Sequence, residues 1–150
     1  MLSWRIPVDY PGVTSRKLIS CRAIVALPKD HRLAAQDRIS VKDLERESLI
    51  GLGTDAMIQT RISRLFERQG GAPPLAINTS SLLAVRNFVA SGFGCGIVDP
   101  LTASAVRDPW IEFHPLEPAL QLEYGVLWNK GQPLSGLLSQ VCTELAIVAG

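Results

Sequence analysis

Three consecutive hydroxyl side chains, Thr79, Ser80 and Ser81, are the residues best suited to hold a small polar molecule. They follow a short apolar run at residues 75–78 and precede apolar residues that recur at helical spacing. Hydroxyls and the free N–H groups of a helix N-terminus can donate hydrogen bonds to a carboxylate, whose charge the helix dipole favours. The alternative is ordinary capping, which needs only one hydroxyl. The sequence leaves both interpretations open.

Two other positions place polar groups where a predicted strand ends and a predicted helix begins. Thr54 and Asp55 occupy the first, where they can cap the helix or contact a ligand. Asp99 occupies the second, and the following Pro100 indicates that Asp99 caps a helix starting there. In open parallel sheets, ligands bind at the carboxyl ends of strands. The candidate ligand-binding residues are therefore Thr54, Asp55, Thr79, Ser80, Ser81 and Asp99.

Catalytic motifs fit the sequence poorly. The glycine-rich turn at residues 92–96 follows a predicted helix, whereas dinucleotide fingerprints and nucleophile elbows run from strand to turn to helix. Cys95 is expected to be a small packed residue. His31 and His114 lie in proline-flanked loops with no carboxylate at a metal-ligand spacing, so both are expected to be surface or turn residues. The sequence predicts no catalytic residue, no metal site and no cofactor.

The elements that must position the candidate residues alternate between strand and helix. Residues 75–100 predict strand, helix, glycine-rich turn and strand, a βαβ unit of a parallel sheet, with the helix ending at Gly92. Ser40 and Asp43 have the spacing of a capping box at another helix start. The interleaved order predicts an α/β protein with a largely parallel sheet. Predicted strands at residues 22–27 and 122–128 bracket the middle, as in a two-lobed, hinge-connected binding protein.

Composition narrows the function classes. A length of 150 residues suits one domain or two small lobes, and 47% hydrophobic with 19% charged residues indicates a globular protein. A net charge of +1, with no basic run longer than Arg16-Lys17, indicates no nucleic-acid or membrane partner. No signal peptide or membrane span is recognisable, so we expect a cytoplasmic protein in which Cys21, Cys95 and Cys142 are reduced.

Four segments, in order, resemble LysR-type transcriptional regulators. The stretch Leu27–Ala34 (LPKDHRLA) matches the family's Leu-Pro-x-x-His-x-Leu-Ala segment, and a short Asp-Leu helix follows it. Residues 79–100 resemble the ligand helix and glycine-rich turn of the second lobe, and residues 128–145 resemble the return strand and last helix. The likeness covers nearly the whole chain.

The resemblance implies a periplasmic-binding-protein-like, two-lobed fold with mostly parallel sheets. Residues 22–105 would form a complete lobe II, and residues 1–21 with 106–150 a partial lobe I with the hinge strands. The family's winged helix-turn-helix has no counterpart in the sequence, so we expect a truncated chain or fragment without direct DNA contact. DNA would be reached only through that missing N-terminal part.

The expected function is a small-molecule effector-binding (sensor) domain in transcription regulation, with the ligand between the lobes changing their angle. The resemblance implies a homodimer or other homo-oligomer and a polar effector such as an amino acid, an opine or a carboxylate. It also allows Asp99 to pair with an ammonium or guanidinium group of that effector. The alternatives are a free-standing solute-binding protein of the same fold, against which the missing export signal argues, and a small enzyme with an unrecognised site.

Overall fold

Strands and helices alternate along the computed structural model, which describes residues 2–3, 11–53, 56–104, 107–131, 136, 139–140 and 143–144. The strands are β1 (Leu2–Ser3), β2 (Val13–Arg22), β3 (Ile24–Pro28), β4 (Ile39–Ser40), β5 (Leu49–Leu52), β6 (Leu75–Thr79), β7 (Cys95–Val98), β8 (Ile111–Glu117) and β9 (Gln121–Asn129). The helices are α1 (Val41–Leu44), α2 (Met57–Arg68), α3 (Leu82–Ala90) and α4 (Pro100–Ser104), with a 3-10 helix at Arg32–Ala35.

A six-stranded sheet in the order β4-β8-β3-β7-β5-β6 forms the centre of the middle part of the chain. β5 is parallel to both β6 and β7, and β4 is parallel to β8. β3 is antiparallel to its neighbours β7 and β8, so five of the six strands run in one direction. All residues of β5 and β7 are buried, as is usual for strands covered on both faces. The predicted α/β class with a mostly parallel sheet is confirmed.

The predicted βαβ unit is present as β6, α3 and β7, with β5 lying between the two strands. Gly92 has a φ of +79° just beyond α3, the left-handed conformation that the predicted helix end requires. Gly96 in β7 lets α3 lie close to the sheet, because a Cβ atom there would be 2.5 Å from Cγ1 of Val85. Leu83, in contrast, is half exposed on the outer face of α3.

The predicted capping box at α1 is confirmed. The Ser40 hydroxyl accepts a hydrogen bond from the Asp43 N–H at 3.1 Å, and Oδ2 of Asp43 accepts one from the Ser40 N–H at 2.9 Å. These bonds favour the ionised carboxylate, and the hydrogen bonds from the Ser40 side chain and backbone lower the pKa of Asp43. Two residues three apart therefore determine where this short helix begins.

β8 extends through His114 and Pro115, so His114 lies within a strand and not in the proline-flanked loop expected from the sequence. Pro115 lies opposite Ile24 of β3, and pairing with β4 begins only at Leu116. At Pro115 the strand is therefore paired on one side only, which is where a sheet tolerates a residue without an N–H. The prediction was wrong because the short β4 leaves one side of β8 unpaired at Pro115, and the sequence of β8 does not reveal the length of its partner.

The chain separates into two compact units, residues 22–120 and residues 1–21 with 121–150. The second unit contains a three-stranded sheet in the order β1-β9-β2. Residues 106–120, which we expected in that unit, lie in the middle unit because β8 pairs with β3 and β4. The assignment of these units to lobes stays a prediction, and the predicted last helix falls mostly outside the described residues.

Within the described residues, each helix lacks the length and the apolar composition required to cross a membrane.

Candidate functional site

A cavity of about 660 Å³ lies beyond the carboxyl ends of β5 and β6. The two strands are adjacent and parallel, and a hydrogen bond of 3.2 Å from the Gly53 N–H to the Thr79 carbonyl joins their ends. The N-termini of α2 and α3 follow these strands, so both helices begin at the cavity. Its described lining residues are Leu52, Gly53, Ala56, Asn78, Thr79, Ser80 and Phe88.

The three consecutive hydroxyls divide into one cap and two cavity residues. Ser81 is the N-cap of α3, and its hydroxyl accepts a hydrogen bond from the Ala84 N–H at 3.1 Å. Thr79 and Ser80 line the cavity, and within the described part of the chain neither hydroxyl makes a hydrogen bond. Capping therefore leaves two hydroxyls for a ligand, and their role in binding one stays a prediction.

The N-terminus of α2 contributes backbone rather than side-chain groups. Its N-cap, Ala56, makes no side-chain capping bond, and Ala56 lies on the cavity wall. The predicted site residues Thr54 and Asp55, just before it, lie outside the described residues. The first turn of a helix carries positive potential from its N–H groups, which suits an anionic ligand group.

Gln59 holds Leu52, a residue of the cavity wall, in place. Its side chain is buried, and its Oε1 accepts a hydrogen bond from the Leu52 N–H at 3.0 Å. This bond ties the end of β5 to the first turn of α2. Its Nε2 is buried without a hydrogen-bond partner among the described residues. Burying an unpaired amide group in this way lowers the free energy of unfolding.

Asp99 is the N-cap of α4 and is not among the described lining residues of the cavity. Its Oδ1 accepts a hydrogen bond from the Thr102 N–H at 2.8 Å, and its Oδ2 accepts one from the Thr102 hydroxyl at 2.6 Å. The carboxylate is buried, being 2% exposed. The capping role inferred from Asp99-Pro100 is therefore observed, while a contact with a ligand stays a prediction.

Several lining residues were not predicted from the sequence. Leu52 and Gly53 join the site because β5 lies beside β6, and Phe88 joins it because α3 folds back over these strand ends. The Phe88 ring meets the Phe93 ring edge to face, with centroids 5.8 Å apart. The rule that ligands bind at strand ends would have identified Gly53 once the pairing of β5 with β6 was known.

A second polar cluster lies at the opposite, amino ends of β5 and β7. The Nε2 atom of His31 lies 3.3 Å from Oε2 of Glu47 and 3.7 Å from Sγ of Cys95. Cys95 is fully buried, and this burial, with the negative charge of Glu47, raises the pKa of its thiol to about 12. This cluster could not be predicted from the sequence, because its members come from three separate segments.

Comparison with known proteins identifies the family of this chain. The family model described as the LysR substrate binding domain matches residues 2–148. The chain belongs to this family. The resemblance inferred from the four ordered segments is thereby confirmed.

Relatives of this LysR domain are regulators. Regulatory protein NocR of Agrobacterium tumefaciens (strain T37) is 30% identical over 132 residues, which cover 88% of this chain and 44% of NocR. The chain thus spans less than half the length of this curated relative. "Uncharacterized HTH-type transcriptional regulator YybE" of Bacillus subtilis is 27% identical over 125 residues, covering 79% of this chain and 40% of that protein. These names describe regulators of transcription and not enzymes.

Solved structures of LysR regulators share the fold of this LysR domain. HinK, a LysR family transcriptional regulator from Pseudomonas aeruginosa, has a TM-score of 0.77 at 22% identity, covering 99% of this chain and 53% of HinK. The regulatory domain of Synechocystis PCC6803 CcmR, solved in complex with 2-PG, also has a TM-score of 0.77, at 17% identity, covering 99% of this chain and 72% of that chain. The predicted periplasmic-binding-protein-like α/β fold is confirmed.

Proposed function

We propose that this LysR domain is the small-molecule sensor of a transcriptional regulator and binds its effector in the cavity beyond β5 and β6. The observation that carries the proposal is the position of Thr79 and Ser80 on the wall of a cavity at which two helices begin. A volume of about 660 Å³ is within the range typical of small-molecule sites. Regulators among the relatives favour a sensor over a free-standing solute-binding protein or an enzyme.

The lining chemistry favours an effector with an anionic group and a short apolar part. The hydroxyls of Thr79 and Ser80 can donate hydrogen bonds to an anionic group, and the dipoles of α2 and α3 add positive potential. None of the described lining residues is charged, so these dipoles supply the attraction. Leu52 and Phe88 offer an apolar surface. Amino acids, opines and small carboxylates combine these features, and CcmR shows a small-molecule complex on the same fold.

In the whole regulator, the effector would act by binding one conformation more tightly than another, since a ligand shifts an equilibrium only through such a difference. We propose that the regulator works in the cytoplasm, where transcription takes place. We also propose that the domains associate as homodimers, which would connect effector binding in one copy with its neighbour. Family membership supports both statements.

A thermal-shift screen against amino acids, opines and small carboxylates tests the sensor role. A ligand present at 100 times its dissociation constant adds about 2.7 kcal/mol to the free energy of unfolding, which raises the melting temperature by several degrees. Calorimetry should then show that Ser80→Ala weakens binding about tenfold, because a hydrogen bond to a charged group is lost.

Ser91→Ala is the matched control, since it removes an exposed hydroxyl from the opposite end of α3. We expect it to bind the effector as the wild type does. A screen in which no compound raises the melting temperature would contradict the proposal. Equal affinities of the Ser80→Ala variant and the wild type would contradict the placement of the site.

A further inference from the structure

We propose that His31, Glu47 and Cys95 form a binding site for Zn²⁺, separate from the effector cavity. One nitrogen, one carboxylate oxygen and one sulfur from these residues all lie within 4.8 Å of one another. This donor set suits Zn²⁺, which accepts all three ligand types, better than Mg²⁺ or Ca²⁺, which prefer oxygen alone. The site goes beyond the sensor role and does not depend on it.

Two of the three separations between the ligand atoms match one shared tetrahedral metal ion. Zinc bonds of about 2.0–2.1 Å to nitrogen and oxygen and about 2.3 Å to sulfur place neighbouring ligand atoms about 3.3–3.6 Å apart. The observed separations are 3.3 Å between Nε2 of His31 and Oε2 of Glu47, and 3.7 Å between that nitrogen and Sγ of Cys95. Three protein ligands leave a fourth position for water. The Glu47 oxygen and Sγ of Cys95 lie within 4.8 Å of each other, so side-chain adjustments within the pocket bring all three atoms to one ion.

Rigid elements hold the three ligands in place. Cys95 begins β7, and its N–H donates a hydrogen bond of 2.9 Å to the carbonyl of Ser48, the residue next to Glu47. His31 caps the 3-10 helix after β3, the strand paired with β7. The His31 and Glu47 side chains are 17% and 13% exposed, and Cys95 is fully buried. The pocket is therefore formed without ordering a loop around the ion.

A second set of contacts supports the carboxylate. The Arg32 guanidinium pairs with Oε1 of Glu47, which leaves Oε2 directed at His31. Carboxylates that bind metals are commonly held in this way by an outer partner, which fixes their orientation. Arg32 is 61% exposed, so solvent and ions reach the edge of the cluster from its side.

Binding requires two proton movements. Nδ1 of His31 accepts a hydrogen bond of 3.2 Å from the Leu33 N–H, so the neutral ring without metal carries its proton on Nε2. Coordination through Nε2 moves that proton to Nδ1 and breaks this long hydrogen bond. The Cys95 thiol releases its proton to solvent as the zinc–sulfur bond forms. The hydrogen bond from Leu33 and the contacts of the Nε2 proton with Glu47 and Cys95 are thus exchanged for three bonds to the metal.

Titration of the whole chain with Co²⁺ tests the site, because Co²⁺ replaces Zn²⁺ in such sites and absorbs light. We expect a sulfur-to-cobalt charge-transfer band that saturates at one equivalent and disappears when Zn²⁺ is added. Cys95→Ala and His31→Gln should each weaken Co²⁺ binding by more than the about 10- to 100-fold typical of an outer partner. Circular dichroism of each variant establishes that it is folded.

Cys21→Ser and Cys142→Ser are the matched controls, since they remove the other two thiols of the chain. Both variants should keep the charge-transfer band. The proposal is overturned if the wild type shows no sulfur-to-cobalt band, or if the band survives in folded Cys95→Ala. Loss of the band in either control would assign the metal to another thiol and would also overturn it.

Discussion

The Cys95 thiol lies at the start of β7 with no exposed surface, in contact with His31 and close to Glu47. Both burial and the neighbouring carboxylate disfavour a thiolate, so the thiol stays protonated at neutral pH. A sequence pattern cannot report such an environment. It predicted a small packed residue at Cys95, which agrees with the burial, but not the polar neighbours that burial brings to it.

Because the pKa of the Cys95 thiol is raised in the folded protein, the free energy of unfolding falls at alkaline pH. An unfolded chain loses the thiol proton near its ordinary pKa of about 8.5, whereas the folded chain keeps it up to about 12. The unfolded state therefore binds fewer protons in that window, and the free energy of unfolding falls by about 1.4 kcal/mol per pH unit. Urea unfolding of wild type and Cys95→Ala between pH 7 and 11, with a chelator present, measures the difference. Parallel pH profiles would contradict this linkage.

At the scale of elements, the contact between α3 and β7 depends on the absence of a side chain at Gly96. A Cβ atom there would be 2.5 Å from Cγ1 of Val85 and 3.3 Å from Cγ2 of Val89. Both valines are fully or almost fully buried, so neither can turn toward solvent. α3 begins at the cavity, and its distance from the sheet therefore bears on the site as well as on the core.

Gly96→Ala should lower the free energy of unfolding by about 1–3 kcal/mol, the usual range for overpacking a core. Combining it with Val85→Ala should cost less than the sum of the two single changes, because they share one contact. Gly131→Ala is the control, since no atom of the described residues lies within 4 Å of the added atom, and it should be nearly neutral. Urea unfolding measures the wild type, the three single variants and the double variant. A Gly96→Ala variant as stable as the wild type would disprove the close contact.

Elements with local signals could be predicted from the sequence, and their pairing could not. Ser40 and Asp43 determine the start of α1 within a few residues, and the apolar spacing of α3 needs no distant partner. The position of β5 between β6 and β7 depends on contacts far apart in the chain. For this reason Thr79 and Ser80 were found as candidates, whereas Gly53 and Phe88 were not.

At the scale of the whole molecule, one edge of the six-stranded sheet and one exposed side chain suit contact with a second copy. Among the described residues β6 is the outermost strand on its side, so no described strand pairs with its outer backbone groups. Leu83 on the next helix, α3, is 50% exposed. A formal net charge of +1 gives little repulsion between copies. These features support the proposed homodimer, and we propose that its contact lies near β6 and α3.

Analytical ultracentrifugation at high micromolar concentration should give twice the chain mass of 16.3 kDa. Leu83→Glu should shift the protein to monomer, because a carboxylate in a dimer contact must be desolvated. The helix itself should tolerate the change, since a glutamate in the first turn interacts favourably with the dipole. Gln121→Glu adds the same charge at an exposed position of β9 and should leave the dimer intact. A monomeric wild type would contradict the homodimer, and a dimeric Leu83→Glu would move its contact away from α3.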